Sequence, residues 1–214
     1  MNNQSFPQGQ NPTGYSMGIT GIPQGGHSQQ GQKIGAHELL MAHEVLSGMT
    51  NGINSFELYQ PHITDSQLLG IWENQLRFMQ SSYQNIVNYL HNRGGNQAIP
   101  YRTPRPVNPM YGLRNPSPQH PNNNMNQIDD RDVASGMMGC AKSAALQCTW
   151  AALECADPNL RNLLAGCAQS AINRAYELFQ YMNQKGMYQV PTLADNTTNT
   201  MIQSYQAPST MPMQ

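Results

Sequence analysis

Residues 129–188 carry two long apolar helical patterns folded about Asp157-Pro158, with very few charges to keep either one in water. A pair of this kind hides its apolar surface only by packing helix on helix. Before the turn, Ala134, Met138, Ala141, Ala145, Cys148, Ala152 and Cys155 recur at alternating spacings of four and three, which places them in one stripe. After it, Leu160, Leu164, Cys167, Ala171, Arg174, Leu178 and Tyr181 make one stripe, and Ala168, Ile172, Ala175, Phe179 and Met182 make a second beside it. Asp157 is a good N-cap, and Pro158 falls at the first helical position, where a missing N–H costs nothing. Gly186 stands where a left-handed C-cap belongs.

A second pair of patterns lies upstream. Leu39, Ala42, Leu46, Met49, Ile53 and Phe56 alternate by three and four, and Leu69, Trp72, Leu76, Met79, Tyr83, Ile86 and Leu90 do the same. Pro61 and a cap at Thr64 or Asp65 divide the two, and Gly94-Gly95 closes the second. The spacing predicts helical hairpins over 34–93 and 129–186.

Composition separates these hairpins from the rest. Of 214 residues, 38% are hydrophobic and 11% charged, both low for a fully globular chain. The deficit is local: 1–32 is dominated by Gly, Gln, Asn and Ser, and 94–127 holds seven prolines among many asparagines. Such segments bury too little apolar surface to offset the entropy of ordering. Residues 1–33 therefore read as a disordered arm, 94–128 as a crossover linker and 187–214 as a flexible tail. A helix of about 28 residues is roughly 42 Å long, and an extended linker of about thirty residues reaches roughly 100 Å. The expected fold class is all-α, two helical hairpins joined by one long crossover, the connectivity of a ferritin-like four-helix bundle.

With a net charge of −1, three lysines and no basic run, the chain lacks the electrostatic footprint of a nucleic-acid binder. No segment approaches ~18 uninterrupted apolar residues, and the N-terminus lacks the charged start and apolar run of a secretory signal. Neither nucleic acid nor membrane insertion is expected, and synthesis in a cytoplasm is.

Ferritin-like di-iron proteins place a Glu on each of two helices and a Glu-x-x-His on each of the other two. Here Glu73 is followed three residues later by Leu76, and Glu177 by Gln180. His37, Glu38, His43 and Glu44 crowd the first helix without an i, i+4 pair of histidines, and read as a solvated, partly interfacial face. Glu154, Asp157, Pro158 and Arg161 read as a structural corner, its charges bracing the turn. No catalytic, cofactor-binding or metal-ligating residue is assigned, and the fourteen methionines read as gap fillers.

Four cysteines, Cys140, Cys148, Cys155 and Cys167, all fall in the second hairpin without a C-x-x-C spacing. One reading is four small apolar residues in a tight helix interface. The sharper one makes Cys140, Cys148 and Cys167 cross-link candidates. Antiparallel helices about the 157–158 turn set Cys148 opposite Cys167, within reach of a disulfide if their Cα atoms come within ~7 Å. Cys140, rotated roughly 80° from Cys148, is expected on a different face as the intermolecular thiol.

Asp132-Val133-Ala134, Lys142, the run from Ala152 through Glu154-Cys155-Ala156-Asp157-Pro158-Asn159-Leu160-Arg161, and the closing Tyr176-Glu177-Leu178-Phe179-Gln180-Tyr181-Met182-Asn183-Gln184-Lys185-Gly186-Met187-Tyr188 together form a specific pattern. It resembles the coat F domain of the bacterial spore coat proteins found in spore-forming Firmicutes. The resemblance implies a ferritin-like helical fold and a non-catalytic structural role in the endospore coat, deposited from the mother-cell cytoplasm. It implies other spore coat proteins as partners, with homo-oligomerisation also open, and it supplies no catalytic residue. Two alternatives stand beside it: a degenerate metal-binding oxidase using Glu38, His43, Glu44 and Glu73, and an adaptor that binds another coat protein.

Overall fold

The computed structural model describes residues 33–92, 97–103, 107–116 and 118–208; the expected N-terminal arm and the Gly94-Gly95 stop lie outside them. Four long helices dominate: α1 (Ala36–Tyr59), α2 (Ser66–Asn92), α3 (Asp130–Leu153) and α4 (Pro158–Gln184). A 3-10 turn, Gln60–His62, holds Pro61 between α1 and α2. Asp65 caps α2, its Oδ1 accepting from Gln67 and Leu68 N–H. Asp129 caps α3 and Asp157 caps α4, with Pro158 in the first turn. Gly186 takes φ +75°, the left-handed value that ends α4 at small steric cost.

The close neighbours are α3 with α4, α1 with α3, α1 with α2 and α2 with α4. Contacts fix their directions. Glu44 in the first half of α1 meets Gln147 late in α3, whereas Gly52 further along meets Cys140, so α1 and α3 run antiparallel. Gln75 early in α2 meets Arg174 and Glu177 late in α4, and Tyr89 meets Asp157, so α2 and α4 do as well. Every neighbouring pair is thus antiparallel, and α2 and α3, which the crossover joins, run the same way.

The α4 stripe from Leu160 to Tyr181 is buried at all seven positions. In the stripe beside it, Ala168 and Met182 are buried while Ile172 is half exposed. On α1 the buried face is rotated from the expected one: Glu38, Ala42, Val45, Gly52 and Phe56 are inside, and Leu39 is 44% exposed. On α2, Leu68 and Ile71 are buried and Leu69 is not. Polar anchors set this roll, with the Trp72 indole N–H donating to Phe56 O at 2.8 Å and Gln75 to the α4 backbone at 3.2 Å. One apolar cluster gathers around Phe56, Trp72, Met137 and Leu178, another around Ala42, Ile86, Leu160 and Leu164.

The described parts of the crossover make side-chain contacts with α4 that its composition alone does not announce. Its described parts follow α4 in order: Ala98 lies over Gly166, Tyr101 N–H donates to Ser170, and Gln180 donates to Val107 O. Asn183 both accepts from Met110 N–H and donates to Met110 O, and Gln184 donates to Asn108 O. The hydrogen-bonding side chains of α4 satisfy backbone groups that the extended chain cannot pair with itself. Among the described residues of this segment, Tyr101 is the large side chain that is buried. In the tail, Val190 bridges Tyr111 and Gly112, and Asp195–Gln203 forms a short exposed helix, α5.

Candidate functional site

The corner between α3 and α4 is held by a residue outside it. Glu38, 3% exposed, accepts from its own helix's Gly35 N–H through Oε1 at 2.6 Å. Its Oε2 accepts from Ala156 and Asp157 N–H, both at 2.9 Å. One carboxylate therefore ties the start of α1 to the turn. Burial alone raises its pKa, but the donors from Asp157, Gly35 and Ala156 together outweigh burial and the nearby Asp157 charge, and hold it below its ordinary range. This corrects the assignment of Glu38 to a solvated face.

The expected corner residues divide. Asp157 caps α4 through Oδ1 and accepts from the Tyr89 hydroxyl through Oδ2 at 2.6 Å, so it braces the corner against α2. Glu154 pairs with His37 Nδ1 at 3.3 Å on the surface, where such a pair contributes little. Arg161 is exposed and donates to Asn162 at 3.4 Å. At the opposite end Asp130 accepts from Thr64 N–H and hydroxyl and from Asp65 N–H, and Lys185 binds Asp65 at 2.5 Å. A carboxylate clasp thus closes each end of the four-helix body.

All four thiols are free. Cys148 and Cys167 line one cavity, as the antiparallel register predicts, but Cys140 lines it too, its Sγ against Gly52. The rotation of Cys140 from Cys148 holds; what changes the outcome is that α4 covers one side of α3 and α1 covers the other. Burial raises all three, with Cys148 pushed up to about 12 and Cys167 to about 11.

The cavity, about 250 Å³, sits between the two apolar clusters. Its floor is Arg174, only 4% exposed, whose Nε and Nη1 have no hydrogen-bond partner. The buried carboxylate one turn further along α4, Glu177, is engaged elsewhere: it accepts from Tyr101 hydroxyl at 2.5 Å and from Gln75 at 2.8 Å. Sequence reasoning placed Arg174 in the apolar stripe without noticing that an arginine there must be buried. An arginine at a position flanked by Ala171 and Leu178 was the available signal.

The alternative metal set is not assembled. Both Glu38 oxygens are committed to backbone donors, and His43, Glu44 and Glu73 are exposed. Among the described residues no three His, Cys, Asp or Glu side chains gather at metal-binding spacing.

Comparison with known proteins follows the same boundaries. The coat F domain family matches residues 129–191, which are α3, α4 and the closing turn. Spore coat protein F-like protein YhcQ of Bacillus subtilis (strain 168) is 33% identical over 162 residues, covering 74% of this chain and 74% of that protein. The crystal structure of a proposed spore coat protein from Bacillus halodurans C-125 superposes with a TM-score of 0.57, over 78% of this chain and 99% of that one, at 14% identity. That last likeness is one of fold. With the matched hairpin, the corner and the closing motif all in place, the chain belongs to the coat F family of spore coat proteins.

Proposed function

We propose that the protein is a non-catalytic structural component of the endospore coat, made in the mother-cell cytoplasm, a ferritin-like four-helix bundle that assembles with other coat proteins. Its family membership supports the location. The antiparallel neighbours and the long crossover support the bundle type. The observation that carries assembly is the outer face of α3, where Leu146, Trp150 and Leu153 are 75%, 66% and 80% exposed at helical spacing. Three large apolar side chains in one exposed row mark an interaction surface, because leaving them in water forgoes their burial.

The experiment replaces Trp150 and Leu153 together with Glu in a spore-forming host and measures the protein recovered in purified spore coats. Incorporation is expected to fall by about tenfold or more, the effect of losing a buried aromatic anchor, while circular dichroism of the purified variant stays unchanged. Full incorporation of a folded variant would remove α3 as the assembly face. Recovery of the native protein only in vegetative cells would remove the coat assignment itself.

A further inference from the structure

The cavity at Arg174 shares no lining residue with the exposed row on α3. Its walls come from all four long helices: Gly52 and Ser55 of α1, Phe78 and Met79 of α2, Ala144 of α3, and Arg174 of α4. The glycines of α1 let side chains of the cavity wall pack directly against its backbone. A Cβ at Gly52 would stand 2.8 Å from Cys140 Sγ, and one at Gly48 would stand 2.2 Å from Gln147 Oε1. Asn51 and Ser143 are exposed and line the cavity, so it opens between α1 and α3.

Arg174 is charged at any physiological pH, yet it belongs to neither close ion pair among the described residues, His37 with Glu154 and Lys185 with Asp65. Two of its three nitrogens are buried without a partner and face no carboxylate within the cavity lining. A buried cation in that state calls for an anion. The lining contains no lysine, histidine or second arginine, so one negative charge neutralises it and a dianion would bring an uncompensated charge inside. Phe78, Met49, Met79 and Ala144 offer contact to an apolar body, and the Ser55 and Ser82 hydroxyls offer hydrogen bonds. At roughly 30 Å³ per water, the volume corresponds to about eight waters, the size of a small organic acid.

We propose that this cavity binds a small organic monocarboxylate, its carboxylate on the Arg174 guanidinium and its apolar part between Phe78 and Met79. The site is independent of the α3 outer face and of any role in the coat.

The test titrates the purified full chain with benzoate, with inorganic phosphate as the dianionic control at a pH well above its second ionisation, by isothermal calorimetry and thermal melting. Saturable benzoate binding that raises Tm is expected, together with no response to phosphate. Alkylation mapped by mass spectrometry supplies a readout free of variants: benzoate should slow modification of Cys140, Cys148 and Cys167 and leave Cys155, which lies outside the cavity, unchanged. Arg174→Met should weaken binding by about tenfold or more, the loss of charge-assisted hydrogen bonds. If that variant fails to fold, Ala144→Leu, which fills the cavity from α3, should abolish the cysteine protection. A cavity occupied by water alone would give no heat, no Tm rise and no protection, and would overturn the proposal. Phosphate binding as tightly as benzoate, or benzoate binding retained in folded Arg174→Met, would overturn it as well.

Discussion

Glu38 ties the start of α1 to the α3–α4 corner, because its two oxygens take three backbone N–H groups from these two segments. Glu38→Gln removes the charge from those bonds and sets an amide against them. Chemical denaturation should register a loss of about 1.5–3 kcal/mol, the range for hydrogen bonds to charged groups. The pH dependence follows from the depressed pKa. A carboxyl lower in the folded than in the unfolded protein contributes fully above its ordinary value of 4.5 and loses that contribution as pH falls through the folded value. Asp65 and Asp130, also depressed, act in the same sense: the Lys185 hydrogen bond lowers Asp65, and at Asp130 the Thr64 and Asp65 donors outweigh burial. Stability should therefore fall on acidification below about pH 4, and less steeply in Glu38→Gln; an unchanged acid slope in the variant would remove Glu38 from the account.

At the scale of elements, glycines in helices separate propensity from packing. Gly70 on α2 has nothing within 4 Å of a built Cβ, so Gly70→Ala should stabilise by about 0.8–1 kcal/mol from helix propensity alone. Gly166 on α4 gains the same propensity, but its Cβ would stand 2.2 Å from the Ala98 Cβ and push the crossover off the helix. Overpacking of that kind costs about 1–3 kcal/mol, so Gly166→Ala should lower Tm while Gly70→Ala raises it. The same substitution with opposite signs tests whether the crossover is seated on α4. Tyr101→Phe tests the same contact from the other side. It removes the hydroxyl that donates to Glu177 and accepts from Asn74, and should cost about 1–3 kcal/mol for the buried group left unmatched.

Across the whole molecule, the seated crossover changes where the chain is open to a protease. Arg114 donates its backbone N–H to Gln189 and its guanidinium to Asn183 O, whereas Arg102 is exposed beside Thr103. Trypsin should cleave after Arg102 in preference to Arg114, by about tenfold or more, since cleavage at a packed site waits on local opening. Gly166→Ala should speed cleavage after Arg102. Equal cleavage at both sites, as in a free peptide, would return the crossover to the unpacked state that its composition suggests. The pinned ends and the seated crossover leave the row of Leu146, Trp150 and Leu153 on α3 exposed, which is why assembly is proposed there.

Periodicity, caps and punctuation are local, and they determined the helices, both hairpins, the Asp157-Pro158 corner and the buried α4 stripe without reference to any partner. The same local information placed the crossover between the right helices, because connectivity and length are properties of the chain. Tertiary structure alone decided the rest. A polar segment packs when another helix offers matching donors and acceptors, and Ser170, Gln180 and Asn183 do so for residues distant in sequence. Cys140 turned inward because α1 covers it, and Glu38 became a clasp because the corner's N–H groups arrive beside it. Arg174 is a cation in an apolar stripe by sequence, and only the packing of three other helices around it makes it a buried charge facing a cavity.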